Sequence, residues 1–189
     1  SECLVGSEMC IRDRGKKLKT MEGLDVRPTS DMVKEAVFSI IQFDCPGASV
    51  LDLFAGSGQL GIEALSRGAS HCVFTDKNRE AVEIVKENLS KCGFMQSARV
   101  LNIDSLEYLR VAKPGFDIAL LDPPYRMGLL EKALPELDKK MNVGGLVVCE
   151  HEKELTLNDS YGRLSVRKRY KYGKIAVTVF EVPAEEEDI

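Results

Sequence analysis

Val50 to Leu65, VLDLFAGSGQLGIEAL, narrows the folds open to this chain more than any other stretch. Val50 to Phe54 is a short, mostly apolar run of the kind that forms a buried parallel strand. Ala55 to Gly58 are all small, and from Gln59 onward the pattern is helical. A strand that breaks at glycine and restarts as a helix aims backbone N–H groups, and the positive end of the helix dipole, at one place. Gly56 and Gly58 carry no side chain, so a ligand can approach the main chain closely. Such a corner suits the polar part of a nucleotide-like cofactor.

The glycines alone leave the cofactor open. Gly56, Gly58 and Gly61 satisfy G-x-G-x-x-G, and Asp76 lies about where a ribose-binding acid falls. A dinucleotide dehydrogenase shows the same features, and a tight turn without any ligand is also compatible with them. Asp52 separates the readings: dinucleotide folds usually keep that position apolar. An acid before the glycines resembles motif I of the S-adenosylmethionine (SAM) methyltransferases.

The chain has 189 residues, the size of one domain with a sizeable core. Residues 1–14 fit no pattern downstream and are expected to be disordered or foreign to the gene; 15–182 form the domain and 183–189 an acidic tail. No apolar run approaches the roughly 20 residues of a membrane span, and the start lacks the pattern of a secretory signal. Six scattered cysteines without a C-x-x-C pair, and two histidines, predict reduced thiols in a cytosolic protein and no zinc site. His71 and His151 read as structural. The net charge of −4 argues against a uniformly basic nucleic-acid binder, but the tail supplies much of it. Two basic patches remain, Arg12 to Lys19 and Arg163 to Lys174. Each could be plain solvated surface; flanking one catalytic fold, they point to a phosphate-backbone partner.

Along the chain, Thr29 or Ser30 is expected to cap a helix running to about Phe43. Strands are expected at Val50, His71–Thr75, Arg99–Ile103, Phe116–Leu121 and Gly145–Glu150. Helices intervene up to Arg67, from Asn78 to Cys92, from Ser105 to Val111 and from about Leu129 to Met141. Two last β runs, Leu164–Tyr170 and Lys174–Val182, read as a hairpin around Tyr172-Gly173. The alternation predicts an α/β fold: one doubly wound, mostly parallel, seven-stranded sheet with a C-terminal antiparallel hairpin.

The fourth strand ends in Asp122-Pro123-Pro124-Tyr125. In such sheets ligands sit beyond the carboxyl ends of the strands, so this motif should face the glycine corner. Two prolines lock the backbone and aim a carboxylate, a carbonyl and an aromatic ring together. Those groups suit methylation of a planar exocyclic amine. Asp122 and the Pro123 carbonyl can each accept an N–H, and Tyr125 offers a face on which the base can stack. A simpler alternative is a proline-braced strand exit.

With both motifs in place the chain resembles the RsmD-type methyltransferases, which modify the N2 amine of a guanine in small-subunit (16S) ribosomal RNA. The matching segments are GKKLKT, EGLDVRPTSDMVKEAVFSI, VLDLFAGSGQLGIEALSRGA, FDIALLDPPY, GGLVVCEH and RYKYGKIAV, covering roughly Gly15 to Val182. The resemblance implies the class I SAM-methyltransferase (Rossmann-like) fold, SAM as cofactor and ribosomal RNA or the small ribosomal subunit as partner. The chain is expected to be a cytoplasmic monomer with no membrane association and no metal. By position, Asp52, Ala55, Gly56, Ser57 and Gly58 would surround the methionine end of SAM. Asp76 would bind the ribose, and Asp104 with Ser105 would bind the adenine. Asp122, Pro123, Pro124 and Tyr125 would hold the target guanine. Lys16, Lys17, Arg27, Arg167 and Arg169 are the candidate RNA contacts. Asp76 and Asp104 could instead cap the helices that follow them. Rival readings are a methyltransferase of an adenine or glutamine amide, a nicotinamide-dependent oxidoreductase, and an inactive RNA-binding assembly factor.

Overall fold

The computed structural model describes residues 17–21 and 28–184. The first helix is α1 (Pro28–Ile40), with Pro28 its first residue, one or two positions ahead of the expected caps. Proline suits that place because its missing N–H would have had no partner in the first turn. Then follow β1 (Ser49–Asp52), α2 (Gln59–Ser66), β2 (His71–Asp76), α3 (Arg79–Cys92), β3 (Ala98–Asn102), α4 (Ser105–Val111) and β4 (Phe116–Leu121). The chain closes with α5 (Leu129–Leu137), β5 (Met141–Glu152), β6 (Ser160–Tyr161), β7 (Leu164–Tyr172) and β8 (Ile175–Glu181).

These strands form one sheet in the order β3-β2-β1-β4-β5-β8-β7-β6. β1 to β5 are mutually parallel, and β8 inserts antiparallel between β5 and β7. Among the described residues the sheet has eight strands, one more than the sequence predicts. The addition is the two-residue β6, too short to carry a period-two pattern. β5 starts four residues earlier than expected: Met141, read as the end of α5, pairs with Phe116 across a register shift.

Apolar side chains cover both faces. One core layer joins α1, α2 and α3 to the sheet, around Val37, Phe38, Ile62, Phe74 and Val85. The other joins α4 and α5, around Leu51, Leu109, Leu121, Leu134 and Phe180. Burial on both faces explains the continuous apolar runs of the central strands. Local signals set the helix ends: Asn78 accepts from the Glu80 N–H at the start of α3, and Gly93 closes it in the left-handed conformation. Cys45, Cys72, Cys92 and Cys149 are buried and outside any disulfide, and burial pushes the Cys45 thiol up to about 12. Such thiols are poor nucleophiles at neutral pH. Among the described residues no helix is long and apolar enough to cross a membrane.

Candidate active site

Parallel pairing puts the carboxyl ends of β3, β2, β1, β4 and β5 along one edge of the sheet. Asp52 pairs with Phe74 and Leu120, Asp76 with Asn102, and Leu121 with Cys149. The glycine corner and the DPPY segment are therefore neighbours at the exits of β1 and β4. Asp104 and Asp76 lie to one side and Glu150 to the other.

The corner is held by hydrogen bonds that order its backbone. The Leu53 carbonyl accepts from the Thr75 hydroxyl at 2.6 Å and from the Ser105 hydroxyl at 2.5 Å. Gly56 and Gly58 have φ of 54° and 81°, values that glycine adopts without a Cβ penalty. Gly58 opens α2 without a side-chain cap. Asp52 supplies that function from inside the sheet: its Oδ2 accepts from the Gly61 N–H at 2.9 Å. Asp52 is 1% exposed. Burial raises its carboxyl pKa to about 7; the Gly61 bond opposes this, while the charges of Asp122 and Asp76 add to it. Asp52 and the Ser105 hydroxyl, both expected at the cofactor, are each hydrogen-bonded to the backbone of the corner and its helix. Both are buried, and both brace the turn.

Asp76 is bound at both oxygens. Oδ2 accepts from the Gly56 N–H at 3.0 Å and Oδ1 from the Asn78 N–H at 2.8 Å. Asp104 caps α4, its Oδ1 accepting from the N–H groups of Leu106 and Glu107. The capping alternative thus holds for Asp104, whose Oδ2 is not engaged in that cap. Ala55 and Ser57 flank Gly56 on the corner, Ala55 tied to β2 through the Thr75 carbonyl at 3.0 Å.

At the exit of β4, Asp122 and Pro124 are exposed, Pro123 is buried and Tyr125 half-buried. The Tyr125 hydroxyl lies 3.5 Å from Glu150 Oε1. Arg126 has φ of 60°, unusual for a residue with a side chain, and its N–H donates to Glu152 Oε1 at 3.1 Å. Strain of about 1–3 kcal/mol at such a residue persists only where its surroundings impose it. Here Glu152 and the preceding prolines do so. A cleft of about 50 Å³ lies against Pro123 to Glu131 and is walled by Glu150, His151, Glu152 and Leu155. His151 is not free to act in it. Its Nδ1 faces the Glu152 carbonyl, which only accepts, so Nδ1 carries the proton and Nε2 accepts from Thr178.

Sequence reasoning passed over Glu150, Glu152 and, above all, Asn88. Asn88 is 1% exposed on the inward face of α3. Its Oδ1 accepts from the Lys19 N–H; its Nδ2 donates to the carbonyls of Lys19 and of Ser57 in the glycine corner. One amide thus ties the basic N-terminal segment to the corner. The available signal was a polar residue inside the stripe Ala81, Val85, Asn88, Cys92, where an apolar one belongs.

The RNA-contact candidates divide. Lys16 and Arg27 lie outside the described residues. Lys17 is exposed, and its carbonyl accepts from the Lys91 ammonium. Arg167 occupies the bulge in β7 and pairs at 3.7 Å with Glu181. Arg169 is more committed, donating to Asp159 and to the carbonyls of Leu157 and Asn158. Its first task is to fix the loop after β5.

The family model described as Conserved hypothetical protein 95 matches residues 12–181. YlbH of Bacillus subtilis (strain 168) is 38% identical over 173 residues, which cover 89% of this chain and 94% of that protein. Ribosomal RNA small subunit methyltransferase D of Escherichia coli (strain K12) is 32% identical over 178 residues, covering 92% and 88%. The chain belongs to the RsmD family. A solved structure, a hypothetical protein from Thermus thermophilus, superposes with a TM-score of 0.76 at 31% identity over 90% of this chain and 96% of that one. The mostly parallel sheet, with its antiparallel strand near the C-terminus, is thus the fold that the strand–helix alternation predicts.

Proposed function

We propose that this RsmD-family chain transfers a methyl group from SAM to the exocyclic N2 amine of a guanine in small-subunit ribosomal RNA. The observation that carries the reading is the placement of Asp122-Pro123-Pro124-Tyr125 beside the glycine corner on one edge of the sheet. The corner fits the donor: two glycines with left-handed backbone leave open space at Gly56, and carboxylates stand at the ends of β2 and β3. SAM supplies an activated methyl group on a positively charged sulfur. Gly56, Ser57 and Gly58 hold its methionine end, Asp76 the ribose and Asp104 the adenine.

An aromatic exocyclic amine is a poor nucleophile because its lone pair is delocalised into the ring. The Asp122 carboxylate and the Pro123 carbonyl accept its two N–H bonds, favouring a tetrahedral nitrogen with its lone pair aimed at the corner. Tyr125 stacks on the base, with its hydroxyl near Glu150. Positioning supplies most of the acceleration, since the leaving group is already good. Asp122 is exposed, so the proton released from the methylated nitrogen passes readily to water. A paired guanine would first have to leave its stack, which favours a loop or splayed base. The partner on this reading is ribosomal RNA or the small ribosomal subunit.

The test is transfer of labelled methyl groups to small subunits from a strain lacking the modification, followed by mapping of the labelled nucleotide. Label on a guanine N2 is expected. Label on an adenine or on protein would replace the substrate named here. In the same assay Asp122→Ala should lose transfer while binding S-adenosylhomocysteine like the wild type; near-normal turnover would remove the role given to that carboxylate.

A further inference from the structure

A second, larger hollow opens beside the DPPY cleft. It has a volume of about 510 Å³ and shares the lining residues His151 and Leu155 with the cleft, so the two lie side by side. Its floor is His151, Ala176 and Thr178, from β5 and β8, and the loop after β5 forms one wall. The other wall is the end of β7, where Lys171 pairs across the sheet with Ala176. Because β8 runs antiparallel to β5, Ile175 lies opposite Glu152, and this part of the hairpin stands at the carboxyl edge with the active site.

The chemistry of the walls is uneven. Arg169 belongs to the lining, but its guanidinium is held by Asp159 and the loop carbonyls. His151 and Thr178 hydrogen-bond each other. Lys153 and Lys171 are exposed and form no ion pair among the described residues, and the Asn158 side chain stands exposed beside them. Two ammonium groups facing a preformed hollow of this size suit a phosphate and its nucleoside, while a duplex is too wide to enter.

We infer that this hollow is a binding site for the nucleotide next to the target base on the same RNA strand, with Lys153 and Lys171 on its phosphate. The inference rests on the ribosomal-RNA reading above and adds a place for the flanking strand. A base lifted out for methylation drags its neighbours with it, and a strand entering the DPPY cleft continues past Leu155 into the hollow. The site explains why the loop after β5 is pinned by Arg169: the loop is a wall and must keep its shape before RNA arrives.

The experiment compares the wild type with Lys153→Glu/Lys171→Glu and with a control, Lys113→Glu/Lys139→Glu. The control makes the same charge change at the opposite edge of the sheet, ahead of β4 and β5. Binding of undermethylated small subunits is measured by co-sedimentation, S-adenosylhomocysteine binding by calorimetry, and labelled-methyl transfer in parallel. The hollow variant should bind subunits at least tenfold more weakly, with a raised KM, little change in kcat and unchanged S-adenosylhomocysteine affinity. Its Lys→Ala counterpart should lower the salt slope of binding by about one, because both lysines sit on a single phosphate. Subunit binding within twofold of the control overturns the site, including the case in which the hollow serves a protein partner instead. A wild type that transfers no methyl group to RNA, with binding still lost in the hollow variant, overturns the proposed reaction and leaves the RNA site standing.

Discussion

Gly61→Ala tests the packing on which the corner depends. Gly61 lies on α2 where the helix presses on β2. A Cβ added there would stand 2.3 Å from Phe74 Cε1, 2.7 Å from Phe74 Cζ and 2.8 Å from Cys72 Sγ. Ordinary carbon contacts are about 3.5–4.0 Å, so the helix would have to withdraw by about an ångström or the ring would have to turn. Phe74 is fully buried in the central core layer and has nowhere to turn. Overpacking of this kind costs about 1–3 kcal/mol, against a gain of about 1 kcal/mol in helix propensity for alanine over glycine. Because the clash is with a rigid ring, the upper part of the range applies and a net loss of about 2 kcal/mol is expected. For a domain of this size that lowers Tm by about 4–8 °C.

The same displacement would carry the Gly61 N–H away from Asp52 and open the corner, so S-adenosylhomocysteine affinity should fall with stability. Thermal melts and calorimetric titration measure both. Phe74→Leu in the Gly61→Ala background should restore part of each loss although it costs stability alone, a coupling expected of residues in contact. A Gly61→Ala protein that melts at the wild-type temperature and binds the ligand normally would refute this account of the third glycine.

Other perturbations address the charges and the clamp. With its folded pKa raised to about 7 from 3.8, Asp52 binds a proton in the folded state that the unfolded chain releases near pH 4, so its contribution to stability is present in acid and lost as pH rises through 7. Between pH 5 and 8.5 the wild type should lose about 3 kcal/mol relative to Asp52→Asn, as read from urea melts; parallel curves for the two proteins would contradict that sign. Asn88→Ala strips partners from Lys19 and from the Ser57 carbonyl and should cost about 2–3 kcal/mol in denaturant melts, with S-adenosylhomocysteine bound about fivefold more weakly; unchanged affinity would uncouple that side chain from the corner. Arg167→Ala should weaken RNA binding and flatten its salt dependence without lowering Tm, whereas Arg169→Ala should also raise proteolysis in residues 153–159; identical behaviour would mean that both serve the same purpose.

What could be read from the sequence was local. Gly93 after α3, Asn78 before it and the paired prolines after β4 act within a few residues of themselves, and they mark those boundaries in the chain as in the structure. The strand-end acids were legible because the β–α alternation fixes which end of each strand faces the crevice. What escaped was long-range. Asp52 bonds across nine residues to Gly61, Ser105 across fifty-two to Leu53, and Asn88 across sixty-nine to Lys19. Residue type cannot tell a carboxylate that meets a ligand from one that holds the turn where the ligand sits. The eighth strand escaped for another reason: two residues carry no period.

The electrostatics of the corner separate the two cofactor readings that G-x-G-x-x-G leaves open. In a dinucleotide site the N–H groups of the glycine turn receive a pyrophosphate, which needs them unoccupied and needs little negative charge nearby. Here the Gly56 N–H already donates to Asp76, and Asp52 feels the charges of both Asp76 and Asp122. Asp104 and Glu150 add carboxylates at the exits of β3 and β5 along the same edge. A doubly charged pyrophosphate would meet repulsion from these carboxylates and would have to break the Asp76 bond. SAM brings a sulfonium and an ammonium against a single carboxylate, and the same acids then attract it. The carboxylates that crowd the corner, and that add to the rise in the Asp52 pKa, are thus the groups that favour a cationic methyl donor over NAD. Tight binding of NAD, equal to that of S-adenosylhomocysteine, would sink this argument.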